Sequence, residues 1–514
     1  MRYSIAAFLL FLLLQFYLRL HIDTRDLPGA AGSLSVYRAL QANTETGSDW
    51  AALSLFYLQR YSGLSIQTCN HALSLFSGFL SLLGGYCACF GVFGSAPKRG
   101  IFLLLLWPFP HYFGLLTGVD TLAFGISWLG IGLLCSGIRL QWIGLPFACL
   151  GLTLLPLSIS IKEAALPVLA FSIWGLFSLP RRIDRQSLIV FTLLGGYCLY
   201  WSYAWFFPDS PTRVSQTSLS VSALEQGWQE LQRLPKRGMP EGKLDQLLLL
   251  SLLGFLMISA QRIKFLLLSI FTAVIILYTA YSLGSLLRPR YLAPAFYSVP
   301  ILLSFVLEEL WKKGATGKSI CGLLLFLVFM DSWAFFYIWG QARAELTGSS
   351  IHPLPRPPAA WLYQYQKNTD INQKDLSFYG SIEIIEQIEQ REQGIAVPRL
   401  RDDRHNSVKA FNSIYGYPSL ILDPGRCCLG TPVDQHCANR IVENVRQTGL
   451  ILAIPRMQKG IERVQGNEKS WIQDLLNAAA ATNEAQEGIY WIFLPPEGTG
   501  GDLPCQKDWK SPAD

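Results

Sequence analysis

Apolar residues fill almost unbroken blocks of about twenty along the first two thirds of the chain, and this leaves few architectures open. A helix of about 20 apolar residues crosses roughly 30 Å of hydrocarbon. In lipid every backbone N–H and C=O must find its partner within the protein, which a single helix achieves by itself. Blocks of this kind lie near residues 4–20, 71–94, 100–117, 120–138, 141–160, 164–180, 187–207, 245–260, 265–284, 291–308 and 319–340. They predict a polytopic α-helical membrane protein with about 11 transmembrane helices. Composition agrees, because a chain of 514 residues that is 51% hydrophobic and only 15% charged is too apolar for an ordinary soluble domain. Arg2 precedes the first block, but Leu18 to Asp26 holds no small-x-small cleavage site, so the block reads as a retained anchor.

Orientation follows from the basic residues in the short connections. Connections after even-numbered blocks carry Lys98-Arg99, Arg139, Arg181-Arg182-Asp184-Arg185, Arg262 with Lys264, and Lys312-Lys313 with Lys318. With Arg2 this is about twelve basic residues in roughly forty positions, whereas the other face spreads as many over roughly a hundred. The even side is therefore expected to be cytoplasmic, with the N-terminus. The odd-side loops 21–62 and 208–244 and the C-terminal region then lie outside the cytoplasm, at a bacterial inner membrane or, in a eukaryote, the endoplasmic reticulum. In the second loop Leu224, Trp228, Leu231 and Leu234 recur at helical spacing beside Arg233, Lys236 and Arg237, the pattern of a helix lying among lipid headgroups.

The net charge of +6 is mostly this bias, and no basic patch interleaved with aromatics points to nucleic acid.

Near residue 341 the composition changes. Residues 1–340 form the expected transmembrane domain, and 341–360 a linker stiffened by His352-Pro353-Leu354-Pro355-Arg356-Pro357-Pro358. Residues 361–514 form an expected soluble extracytoplasmic α/β domain with a disordered tail from Pro495. Strand-like runs at 375–379, 419–422, 450–454 and 489–494 alternate there with helix-like runs at 381–393, 435–447 and 469–481. Of 11 cysteines, Cys427, Cys428, Cys437 and Cys505 fall in this domain. Outside the cytoplasm they can form disulfides, with Cys437 paired to Cys427 or Cys428 across a short loop. His436 adds a possible zinc ligand, but no C-x-x-C spacing supports a metal site.

Ionisable groups at the edge of hydrocarbon are costly and are functional candidates for that reason. Asp23 and Asp26, Asp120, Lys162-Glu163 and Arg288-Pro289-Arg290-Tyr291 all follow odd-numbered blocks, so they converge on one face. Carboxylates with Arg and Lys suit attack on a phosphate-activated donor. A carboxylate takes the acceptor proton, while the cations hold the departing phosphate and neutralise its growing charge. Each group also has a plainer structural use. Asp120 can cap its helix, Asp23 and Asp26 can be ordinary loop charges, Lys162-Glu163 a solvated helix start, and Arg288 and Arg290 can snorkel to headgroups.

The arrangement resembles the C-type (GT-C) glycosyltransferase superfamily, which uses sugars linked to lipid phosphates and includes protein mannosyltransferases and lipid A aminoarabinose transferases. The resemblance runs through the layout of about the first 345 residues. It rests on His21-Ile22-Asp23-Thr24-Arg25-Asp26 with Tyr37 in the first loop, and on Trp107-Pro108-Phe109-Pro110-His111-Tyr112 leading to Gly118-Val119-Asp120-Thr121-Leu122. Lys162-Glu163-Ala164-Ala165-Leu166-Pro167 and Arg288-Pro289-Arg290-Tyr291-Leu292-Ala293-Pro294 complete it. It implies Asp23 or Asp26 as base, Asp120 as a second catalytic acid, and Lys162, Arg288, Arg290 and Tyr291 around the donor phosphate. His111, Tyr112 and Glu163 are further cavity candidates.

It also implies a polyprenyl-phosphate-linked sugar donor and a lipid, glycan or protein acceptor among the membrane lipids, with no cofactor and no metal. Phe378-Tyr379-Gly380 would open the C-terminal domain. The first loop departs from the family pattern, because Leu27-Pro28-Gly29-Ala30-Ala31-Gly32 supplies no aromatic after the acids. A non-catalytic scaffold of the same fold stays open on that account, as does a transporter or flippase of lipid-linked glycans. No internal repeat of the transporter kind is visible, and no P-loop, G-x-S-x-G or H-E-x-x-H motif competes.

Overall fold

The computed structural model describes residues 2–22, 66–115, 119–161, 170–179, 185–206, 261–283, 289–347, 354–366, 394–398, 419–428, 432–455, 467–481 and 490–495, with scattered positions at 54–64, 225, 229 and 486–487. Among the described residues, six helices are long and apolar enough to cross a membrane: His71–Phe93, Thr121–Arg139, Gln141–Ile159, Arg262–Tyr281, Leu292–Trp311 and Gly314–Gln341. Ile5–His21 and Phe191–Tyr200 are shorter apolar helices. The chain is an integral membrane protein. The expected block at 245–260 and residues 164–169 and 180 of the sixth block lie outside the described residues.

In chain order the helices are α1 (Arg2–His21), α2 (Ile66–Phe93), α3 (Gly100–Leu106), α4 (Pro108–Leu115), α5 (Val119–Arg139), α6 (Leu145–Ile161), α7 (Trp174–Phe177), α8 (Arg185–Phe206), α9 (Arg262–Leu283), α10 (Pro289–Phe296), α11 (Ser298–Trp311), α12 (Gly314–Thr347) and α13 (Ala359–Gln366). Among the described residues two apolar blocks are broken. The third splits at Trp107 into α3 and α4, because Pro108 has no N–H to continue the ladder and suits a first helical turn. The tenth splits at Tyr297 into α10 and α11, just after Pro294.

Small residues set the closest helix contacts. Ser77, Gly84 and Gly91 recur every seven residues on α2. A Cβ at Gly84 would strike the Trp128 carbonyl, one at Gly91 the Cys135 backbone, and the Ser77 hydroxyl donates to the Thr121 carbonyl. Contacts that advance together along both chains make α2 and α5 parallel, and the heptad spacing keeps one seam facing one neighbour. The α5–α6 hairpin uses the same device. A Cβ at Gly151 would lie 2.6 Å from the Gly130 carbonyl, and one at Gly137 2.7 Å from that of Gly144.

Buried polar side chains sit inside the bundle while apolar ones face outward. Ser77, Ser81, Ser127 and Ser304 are fully buried, whereas Leu13 and Phe16 on α1 are each 65% exposed. That distribution fits a lipid surround, where packing and internal hydrogen bonds hold helices together without a hydrophobic drive.

The polar contacts define two ends of this bundle. Arg99 bridges to Glu308 at 3.5 Å, Lys264 donates to the Val92 carbonyl, and the Arg139 guanidinium lies over Gly94. These join connections after even-numbered blocks. At the other end Ile22 packs on Gly340 of α12. There Leu18, Ile22, Leu115, Phe335, Phe336 and Leu362 form one buried cluster, with Trp333, Trp339 and Trp361 packed against it. Trp333 Nε1 donates to the Pro355 carbonyl at 2.9 Å, so the Pro-rich stretch packs along α12.

The remaining described elements form a separate unit: β1 (Ile395–Pro398), β2 (Ser419–Leu422), α14 (Pro424–Cys427), α15 (Gln435–Gln447), β3 (Ile451–Pro455), α16 (Asn467–Ala480), β4 (Gln486–Glu487) and β5 (Tyr490–Phe493). The sheet order is β2-β1-β3-β5-β4. β1 runs parallel to both β2 and β3, with Ile395 opposite Ser419 and Ile451, while β5 is antiparallel to β3 and β4. α15 and α16 lay Ile441, Val445, Trp471 and Leu475 into one core with Leu452 and Phe493.

Asp434 caps α15 by accepting from the Cys437 N–H at 3.0 Å, and Gly449, at φ 74°, ends the turn that follows it. A disulfide joins Cys428 to Cys437, and Cys427 is also disulfide-bonded. The runs expected at 375–379 and 381–393, and Phe378-Tyr379-Gly380, lie outside the described residues.

Candidate active site

The end of the bundle where odd-numbered connections meet is built on one face of α1. Phe11, Gln15 and Arg19 follow at intervals of four, so a helix aligns them in a stripe. Phe11 stacks on the His111 ring with centroids 5.0 Å apart. Gln15 Nε2 donates to His111 Nδ1 at 3.2 Å and to the His111 carbonyl at 3.1 Å. His111 Nε2 lies 2.7 Å from the Leu105 carbonyl, which can only accept, so the ring is the neutral Nε2–H tautomer and its Nδ1 lone pair takes the Gln15 amide. His111 is 3% exposed with both ring nitrogens committed. Its geometry fastens the α3–α4 break to α1 and leaves no ring nitrogen for a substrate.

Arg19 brings a cation to this end from within α1. It donates to the Gly114 carbonyl at 2.6 Å and to His71 Nδ1 at 3.1 Å. Both partners are neutral, because a nitrogen that accepts from a guanidinium carries a lone pair. The positive charge is therefore uncompensated by them. The two bonds draw the C-terminal end of α1, the first apolar turns of α2 and the last turn of α4 together. The connection that follows α1 carries Asp23 and Asp26, and the one that follows α4 leads to Asp120 in the first turn of α5. Tyr112 packs among Phe335 and Trp339, with ring centroids at 5.7 and 5.3 Å.

Arg290 and Tyr291 lie in the first turn of α10. This short helix is fixed to α5 by Trp128, whose Nε1 donates to the Pro294 carbonyl at 2.9 Å, and by Tyr297, whose ring meets Phe124 at 5.4 Å and Trp128 at 5.2 Å. For Asp120, Arg290 and Tyr291 the structure gives the backbone alone. Asp23, Asp26, Lys162, Glu163 and Arg288 lie outside the described residues.

Arg19, Gln15 and His71 were not among the sequence candidates. The signal was present, since Gln and Arg four residues apart inside an apolar block cost free energy unless they face partners. Arg19 and His71 stand at the edges of the blocks at 4–20 and 71–94, and only the packing of α1 beside α2 and α4 brings their partners together. Among the described residues no group of three or more His, Cys, Asp or Glu is placed to hold a metal ion.

No protein-family model matches the chain, and no curated protein matches it in sequence. The chain is similar to two crystal structures of ArnT from Cupriavidus metallidurans. The one bound to undecaprenyl phosphate aligns over 96% of this chain and 99% of that one, at a TM-score of 0.47 and 15% identity. The apo form aligns over 94% and 97%, at a TM-score of 0.41 and 14% identity.

Proposed function

We propose that this protein is a membrane glycosyltransferase that moves a sugar from a polyprenyl-phosphate-linked donor to a lipid, glycan or protein acceptor on the extracytoplasmic face. The supporting observation is the Arg19 junction. Its bonds to Gly114 and His71 gather the chain ends that lead into Asp23, Asp26 and Asp120. A cation whose described hydrogen-bond partners are neutral also suits an anionic donor at that place. The ArnT structure to which the chain is similar holds a lipid phosphate of the donor class proposed here. At that level of likeness the reading rests on this chain's own residues.

In the proposed reaction the acceptor oxygen attacks the anomeric carbon and the bond from that carbon to the phosphate oxygen breaks. Asp23 or Asp26 takes the acceptor proton, and Asp120 positions the acceptor. Polyprenyl phosphate leaves with its charge held by Lys162, Arg288 and Arg290, with Tyr291 beside them. With about 11 spans and a cytoplasmic N-terminus, the C-terminal sheet unit would lie outside the cytoplasm. The Cys428–Cys437 disulfide supports that side, because such bonds persist in oxidising compartments.

The test is a transfer assay on purified protein in liposomes with a polyprenyl-phosphate sugar. The variant Asp23→Asn/Asp26→Asn/Asp120→Asn is expected to lose at least ~100-fold in turnover. Wild-type turnover by that variant would falsify the mechanism.

A further inference from the structure

At the opposite, even-side end of the bundle, three helix ends meet around two cations. Lys264, in the first turn of α9, donates Nζ to the Val92 carbonyl in the last turn of α2. Two residues further on, Gly94 adopts φ 78° and leaves no room for a Cβ, because the guanidinium of Arg139, the last residue of α5, lies against it. The two cations are close enough for their charges to repel. Among the described residues Arg139 has no hydrogen-bond or ion-pair partner.

Among the described residues the carboxylates of this end are already engaged, while Asp184 lies outside them. Glu308 accepts the backbone N–H of Gly100 at 3.0 Å and bridges to the Arg99 side chain, and Glu309 holds Lys312 at 2.5 Å. Helix dipoles do not restore the balance. The C-terminal ends of α2 and α5 bring about half a negative charge each and the start of α9 about half a positive one, so two cations leave roughly +1.5. α9 has no acidic residue in its first turn, where one would be favourable.

The surroundings identify the source of the missing anion. Trp142 is 56% exposed, Ile143 82% and Ile263 75%, and these large apolar side chains neighbour Arg139 and Lys264 in the chain. A tryptophan next to cations at a helix end belongs to the headgroup layer, with apolar neighbours against acyl chains.

We infer that Arg139 and Lys264 form a binding site for the phosphate of an anionic phospholipid in the leaflet at the even side, distinct from the proposed donor site at the other end. The lipid would neutralise the pair and tie α2, α5 and α9 together where Gly94 lets the chain turn.

Native mass spectrometry of the detergent-purified full-length protein tests this, with phosphatidylglycerol set against phosphatidylcholine. Wild type is expected to retain phosphatidylglycerol preferentially. Arg139→Gln and Lys264→Gln should each weaken that retention about fivefold, and the double variant more. Glutamine keeps an N–H for the Val92 carbonyl, and Arg139→Lys, which keeps the charge, should bind like wild type and control for folding. Lys313→Gln, an exposed cation at the same end, should change nothing. Equal retention of both lipids, undiminished phosphatidylglycerol binding by the double variant, or displacement by inorganic phosphate at equal concentration would each overturn the inference.

Discussion

Arg19 joins neutral partners on two other helices, so its removal tests whether the odd-side junction is structural, functional or both. Arg19→Gln should lose its contacts to both the Gly114 carbonyl and His71, and a charged hydrogen bond of this kind is worth ~1.5–3 kcal/mol. The expected outcome is a lower melting temperature by fluorescence-detected size exclusion, together with a fall in donor binding that exceeds the loss of folded protein. A variant as stable as wild type would show that the junction is held elsewhere. Gln15→Leu should destabilise too, because it strands the His111 Nδ1 lone pair in a buried site at a cost of ~1–3 kcal/mol.

Between elements, the close approach of backbones makes a sharper prediction. Gly84→Leu places a side chain where the Trp128 carbonyl already stands, and overpacking of this kind costs ~1–3 kcal/mol. Gly322→Ala on α12 meets nothing within 4 Å and should be neutral or stabilising by up to ~1 kcal/mol, since alanine favours the helix. Thermal unfolding of the two variants side by side checks the pair. If both behave alike, the seam between α2 and α5 is not packed as described. In the sheet unit, Cys437→Ser opens a loop closed across a sequence separation of 9 and should cost ~2–3 kcal/mol, read from denaturant unfolding under non-reducing conditions.

Helix positions could be read from the sequence wherever one physical signal dominated. The blocks at 71–94, 120–138 and 265–284 coincide with α2, α5 and α9 to within a few residues, because uninterrupted apolar length leaves a lipid-embedded chain little choice. The runs at 419–422 and 435–447 coincide with β2 and α15, the latter amphipathic and capped by Asp434. Breaks at Trp107 and Tyr297 were not foreseen, since hydropathy averages over a proline that ends one helix and begins the next.

β1 was missed for a different reason. Its four residues are all buried and show no alternation, as expected of a strand with a parallel neighbour on each side. At the site, the acids and bases at block boundaries were legible by charge. The Phe11–Gln15–Arg19 stripe was not, because its meaning depends on which helices lie beside α1.

Over the whole molecule, the two proposed anion sites fall on opposite membrane sides. The odd-side end would take the lipid-linked donor, and the even-side end a phospholipid through Arg139 and Lys264. The proposed topology, read from the basic connections, has the N-terminus and the connections at Lys98-Arg99, Arg139 and Lys312-Lys313 facing the cytoplasm. Single cysteines at position 98 and in the loop at residues 30–45, placed in an otherwise cysteine-free chain, should label from opposite sides of sealed vesicles. Labelling from one side would refute that topology and, with it, the placement of Asp23 and Asp26 on the donor face.

The central claim is best tested by a cryo-EM map of the full-length protein with a polyprenyl phosphate bound. The phosphate is expected against Arg288 or Arg290 in a cavity that Asp23 or Asp26, Asp120 and the Arg19 junction also border. A map in which these aspartates point away from one another, or in which packed side chains fill the space between them, would contradict the transferase reading and leave a scaffold of the same layout.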